Sequence, residues 1–140
     1  MPQPTYHLFV YGSLRSGFKS PAYAYISRYF HLIGPAKVKG RLYDMGDYPA
    51  AIPSTDEHYI VGELYVLNHE SEFNWAIEQL DDYEGVHVEE GEAPLYIRKT
   101  EEVITDSGNT LAWMYWFNGS ITNQPLIESG DVLAYIKSKL

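Results

Sequence analysis

The chain contains no cysteine. Disulfide frameworks, thiol nucleophiles and cysteine-ligated metals are excluded by that absence, and an intracellular setting fits it. Positive charge is also scarce: ten Lys and Arg face nineteen Asp and Glu, a formal net charge of −9. Nucleic-acid binding needs a basic footprint against phosphate, and an anionic membrane surface needs a polybasic anchor. Neither is present, so neither nucleic acid nor membrane is an expected partner. No window approaches the about 18 apolar residues of a spanning helix. Met1-Pro2-Gln3-Pro4-Thr5 lacks the basic start of a secretory signal, which makes a cytoplasmic location the expectation. Ser138-Lys139-Leu140 spells a peroxisomal address. The same three residues complete an amphipathic helical pattern, a structural use that already accounts for them, and the address is not adopted.

The usual chemical signatures are missing too. There is no P-loop, dinucleotide fingerprint or G-x-S-x-G elbow. His7, His31, His58, His69 and His87 never stand at the i, i+3 or i, i+4 spacing of helical ligand pairs. The expectation is therefore no metal and no cofactor. No repeat, low-complexity tract or linker divides the 140 residues, which read as a single domain, 1–140.

What is abundant is tyrosine, 13 of them within an aromatic content of 15%. Tyrosine suits half-buried strands and pocket walls, where the ring packs and the hydroxyl finds a partner. The run Tyr6 to Tyr11 predicts a strand covered on both faces, with His7 held in the sheet. A loop follows over 12–20. Ser20-Pro21 gives N-cap and first helical position in the preferred order, for a helix to about Phe30 with Tyr23, Ile26 and Phe30 on one stripe. Gly34-Pro35 predicts a break. Val38 to Asp44 alternates as a half-buried strand, and Met45 to Pro53 reads as a turn-rich loop. His58 to Leu67 is a long strand in which Gly62 predicts a bulge or barrel corner. Phe73, Ile77 and Leu80 set a helix over 69–83 with Asn68 as its N-cap and Gly85 as its stop. Leu95–Ile104 and Leu111–Phe117 flank Asp106-Ser107-Gly108-Asn109, a hairpin signal. Asn118 to Pro125 reads as a loop, and Val132, Leu133, Ile136 and Leu140 give a last helix from about Glu128. Five or six strands with three helices predict an α+β domain whose sheet is strongly curved or barrel-like.

Two stretches carry the candidate chemistry. In Val10-Tyr11-Gly12-Ser13-Leu14-Arg15 an apolar strand ends on Gly-Ser. Backbone N–H groups turned outward there form an anion-binding nest, and Arg15 adds a donor fork suited to a carboxylate. In Leu80-Asp81-Asp82-Tyr83-Glu84-Gly85 three carboxylates crowd a helix C-terminus, where the helix dipole disfavours negative charge. Asp81 and Asp82 read as a solvated acidic patch. Glu84, between an aromatic residue and a glycine, is placed to aim inward, and partial desolvation would raise its pKa toward the range of general acid–base work.

These blocks, with Gly40-Arg41-Leu42-Tyr43-Asp44, Tyr48-Pro49-Ala50, Tyr96-Ile97-Arg98 and Ser129-Gly130-Asp131, occur in the order seen in γ-glutamylcyclotransferase-like, or AIG2-like, proteins. The chain resembles that family from about residue 6 to 135. The resemblance implies a small mixed, mostly antiparallel β-barrel with flanking helices. It implies an enzyme without a cofactor acting on a small-molecule γ-glutamyl substrate, whose α-amine attacks its own side-chain amide and releases 5-oxoproline. It further implies Glu84 as the catalytic proton carrier. For substrate binding it implies Tyr11, Gly12, Ser13, Leu14, Arg15, Tyr48 and Tyr96, with Arg98 in a structural role. The nest would hold either the α-carboxylate or the reacting carbonyl. Two other readings stand beside this one: a non-catalytic binding or regulatory domain of the same fold, and a related γ-glutamyl-removing acyltransferase acting on a secondary metabolite.

Overall fold

The computed structural model describes residues 6–11, 27–45, 49–54, 57–84, 96–119, 121–132 and 134–135, with 81–84 described by their backbone alone. The strands are β1 His7–Val10, β2 Phe30–Lys39, β3 Arg41–Asp44, β4 Pro49–Ile52, β5 Tyr59–Leu67, β6 Tyr96–Thr105, β7 Gly108–Phe117 and β8 Leu126–Ile127. Helix α1, Phe73–Glu84, follows a 3-10 turn at Glu70–Glu72. Among the described residues, no helix is long and apolar enough to cross a membrane.

Five strands close a barrel in the order β1-β5-β2-β6-β7, and a separate three-stranded sheet runs β4-β3-β8. The barrel pairs are antiparallel except at the seam, where β1 meets β7 in parallel with Leu8 opposite Trp113. This is the mixed, mostly antiparallel barrel of an α+β domain. Period-2 alternation divides its apolar residues into two sets. Leu8, Val10, Tyr65, Leu67, Tyr96 and Tyr115 cluster with Ala76, Ile77 and Leu80 of α1. A helix can pack only on the outside of a closed barrel, so this set is the outer face. Phe9, Tyr11, Ile60, Leu64, Val103, Ala112, Met114 and Trp116 form the other cluster, which fills the interior. Glu101 shares that inward face, opposite Ala112. Its carboxylate accepts a hydrogen bond from Trp116 Nε1 at 3.0 Å.

Several local expectations are corrected. The helix predicted to run to Phe30 is helical at 27–29, but Phe30 opens β2 and pairs with Leu67. Its earlier residues Tyr23 and Ile26 lie outside the described residues. Gly34-Pro35 does not break the chain. Both residues stay in β2, which absorbs a register shift between Leu32 and Gly34 because β5 continues on the other side. The stretch from Val38 to Asp44 is not one strand: it turns at Gly40, where a Cβ would stand 2.8 Å from Ile60 Cδ1, and passes from barrel to second sheet. The loop predicted over Met45 to Pro53 contains β4, drawn into pairing with β3 at Leu42↔Ala51 and its neighbours. Asn68 does not cap α1. Its Nδ2 donates to the Arg28 carbonyl at 3.4 Å, which leaves its Oδ1 to accept from His31 Nδ1 at 2.8 Å. The hairpin of β6 and β7 runs in continuous register from Tyr96↔Phe117 to Thr105↔Gly108, as the sequence predicts.

Gly62 marks no bulge. It pairs in regular register with Ala36, and its lack of a side chain is required by crowding. A Cβ there would lie 2.2 Å from the Val10 carbonyl oxygen and 2.7 Å from the Phe9 ring. Gly130 combines crowding with conformation. Its φ of 68° is left-handed, and a Cβ would stand 1.8 Å from the Tyr59 carbonyl oxygen. Its own carbonyl accepts the Val61 N–H at 2.7 Å, which stitches the segment after β8 to the start of β5.

Two consequences are measurable. Gly130→Ala adds left-handed strain and a backbone overlap at once, so it should lower the unfolding free energy by about 2–4 kcal/mol, read from urea midpoints. An unshifted midpoint would contradict the crowding argument. The second concerns His7, which faces His31 across Val66, both pairing with that residue from either side of β5. Burial, and secondarily the neighbouring His31, holds the His7 pKa below its ordinary value. A folded-state pKa below the unfolded one means that neutral His7 supports the fold above about pH 6.5, and that this support is lost as pH falls through the folded value. His7→Gln should therefore flatten the decline of the urea midpoint between about pH 7 and pH 5.

Candidate active site

β1 is buried on both faces at Leu8, Phe9 and Val10, and it delivers the chain to Tyr11. Tyr11 is 7% exposed, with its ring 6.3 Å from that of Phe9. Its hydroxyl donates to the Tyr115 carbonyl oxygen. That bond fixes the last described residue of the segment against β7, at the barrel seam. Gly12, Ser13, Leu14 and Arg15, which carry the proposed nest and donor fork, lie outside the described residues, as does Tyr48.

Glu84 is the final residue of α1. Its backbone is described and its side chain is not. What positions it is the packing of the helix one turn earlier. Leu80 is 1% exposed and belongs to the same outer cluster as Val10, Tyr96 and Tyr115. The end of β1, the start of β6, the end of β7 and the last turns of α1 thus share one apolar unit. Burying a leucine there stabilises the docked helix by about 1.5–3 kcal/mol.

Tyr96 is 6% exposed, edge-on to Phe117 at 5.8 Å. Its hydroxyl donates to the Pro49 carbonyl oxygen at 2.7 Å. The described geometry therefore gives the Tyr96 hydroxyl a backbone partner at the start of β4. The Arg98 guanidinium stacks over the Trp113 ring at 4.5 Å, a cation–π contact on the barrel wall.

Three residues with a part in this arrangement escaped sequence reasoning: Asp44, Pro49 and Tyr135. Asp44 ends β3, and Tyr135 donates to its Oδ2 at 2.7 Å from 91 positions away. Pattern along the chain carries no trace of a bond over that separation. Tyr135 itself lies on a helical turn that Asp131 caps, with Asp131 Oδ1 accepting the Ala134 N–H at 3.2 Å. A Ser-Gly-Asp run is the local signal for that cap, but not for what the following tyrosine would reach.

Comparison with known proteins bears on the whole of this fold. The family described as "Gamma-glutamyl cyclotransferase, AIG2-like" matches residues 8–134. A curated relative from Methanocaldococcus jannaschii, named a "Putative gamma-glutamylcyclotransferase", is 31% identical over 130 residues, 92% of this chain and 97% of the relative. Among solved structures, YkqA of Bacillus subtilis aligns with a TM-score of 0.70 at 28% identity, over 98% of this chain. This chain spans 44% of that longer protein. An AIG2-like protein of Mus musculus aligns with a TM-score of 0.68 over 92% of this chain and 90% of its own, at 20% identity, a likeness of fold.

Proposed function

Because the chain belongs to the gamma-glutamyl cyclotransferase, AIG2-like family, we propose that it converts γ-glutamyl amides into 5-oxoproline and a free amine. The α-amine of the substrate attacks its own γ-amide carbonyl carbon. A carbon–nitrogen bond closes the five-membered ring, and the bond to the departing nitrogen breaks. Both reacting groups belong to one molecule, so much of the acceleration comes from holding a ring-closing conformer. Glu84 takes a proton from the attacking nitrogen and returns it to the departing one. One carboxylate suffices, because the proton removed in the first step is the one required in the second.

The amide hydrogens of Gly12, Ser13 and Leu14 would grip the substrate α-carboxylate or the oxygen on which charge develops, with Arg15 as a further donor. Tyr11 supports the loop from behind, its own hydroxyl being turned to Tyr115. Tyr48 and Tyr96 would border the γ-glutamyl group.

One observation carries this reading beyond family membership. Val10, two residues before Gly12, and Leu80, one helical turn before Glu84, are buried in a single cluster. Two chain segments some seventy positions apart are thereby brought to one region of the barrel exterior. That juxtaposition supports a shared pocket between the glycine loop and the helix end.

The test is incubation with a panel of γ-glutamyl amines and peptides, with mass spectrometry for 5-oxoproline. Glu84→Gln keeps shape and removes the proton carrier, so kcat should fall by about 10²- to 10⁴-fold while the protein remains folded. Near-normal turnover in that variant would remove Glu84 from the mechanism.

A further inference from the structure

The turn that joins β3 to β4 is fastened at both flanks by tyrosine hydroxyls from distant parts of the chain. On the β3 flank Tyr135 donates to Asp44 Oδ2 at 2.7 Å, and the Asp44 N–H bonds the Pro125 carbonyl at 2.9 Å. On the β4 flank Tyr96 donates to the Pro49 carbonyl at 2.7 Å. Both donors stand on firm ground. Tyr96 is 6% exposed and packed edge-on against Phe117. Tyr135 packs against the interior cluster, on a turn capped by Asp131. The segment before it is stitched to β5 through the Gly130 carbonyl and to β3 through Ile127 and Leu126.

Four residues separate the two fastened points: Met45, Gly46, Asp47 and Tyr48. A connection that short, with both ends fixed, has lost most of its conformational freedom before any ligand arrives. Ordering a contact segment in advance removes a cost that binding would otherwise carry. We propose that Tyr135 and Tyr96 are positioning residues that preset the 45–48 turn for the γ-glutamyl substrate. The proposal rests on the cyclotransferase reading above and on Tyr48 as a residue that meets the substrate. Neither hydroxyl takes part in the proton transfer, and a preset turn favours bound substrate and transition state alike. The effect of losing it therefore falls on KM, with kcat little changed.

Tyr135→Phe and Tyr96→Phe each remove one hydroxyl and leave the ring. Each should raise KM by about three- to tenfold, with kcat within about twofold of wild type. The double variant should fall well short of the product of the two, because releasing one flank already frees the turn. Asp44→Ala should match Tyr135→Phe, whereas Asp44→Asn, which keeps an acceptor oxygen, should have a smaller effect than Asp44→Ala. A readout independent of catalysis is hydrogen exchange by mass spectrometry: the amides of 45–48 should exchange faster in both tyrosine variants. An unchanged KM with a lowered melting temperature would show that the hydroxyls only support the fold, and overturns the proposal. Unchanged exchange overturns it as well. If the wild-type protein releases no 5-oxoproline from any γ-glutamyl amine, the cyclotransferase reading fails and the exchange data still judge the fastened turn.

Discussion

β1 has to satisfy two partners and two faces within four residues. On one side it pairs antiparallel with β5 from His7↔Val66 to Val10↔Glu63, and on the other it meets β7 in parallel at Leu8↔Trp113. Leu8 and Val10 point out beneath α1, while Phe9 points into the barrel. A barrel abolishes exposed edges only if its seam closes. Here the closing strand is also the one that leads into the glycine loop. The crowding at Gly62, where a Cβ would reach the Val10 carbonyl and the Phe9 ring, shows how closely β5 and β1 approach. Where β1 sits decides where Tyr11 emerges, and with it the loop that follows.

The helix is placed by the same strand. Ala76, Ile77 and Leu80 recur at positions that share one face of α1, and they meet Leu8 and Val10 on the barrel exterior. The end of the helix is therefore fixed relative to the end of β1 by apolar packing, with no polar contact needed. A proton-transfer group needs that kind of support, since small displacements at a reacting centre have large effects on rate.

Tyrosine does a recurrent job in this molecule. Tyr11, Tyr96 and Tyr135 each place a ring in or against an apolar cluster and send the hydroxyl to a fixed acceptor on another element: the Tyr115 carbonyl, the Pro49 carbonyl and the Asp44 carboxylate. Such residues link core to loop because the two ends of the side chain have opposite solvent preferences. The high tyrosine content, which composition alone left as a general fit to strands and pockets, gains a specific meaning here.

The amino-acid pattern by itself determined the barrel class, the β6–β7 hairpin, the long strand β5 and the helix over 73–84. Each of these depends on periodicity or turn chemistry within a short window. The order of the family blocks determined the relationship to γ-glutamyl cyclotransferases and nominated Glu84 and the Tyr11–Arg15 segment. Tertiary structure alone decided that Phe30, Gly34 and Pro35 belong to a strand, that β4 exists, and that Gly62 answers to crowding. It alone decided that Tyr135 reaches Asp44. In each case the deciding partner lies tens of residues away. A strand edge that needs filling, or a carboxylate that needs a donor, acts through space and leaves no mark on the local sequence that responds to it.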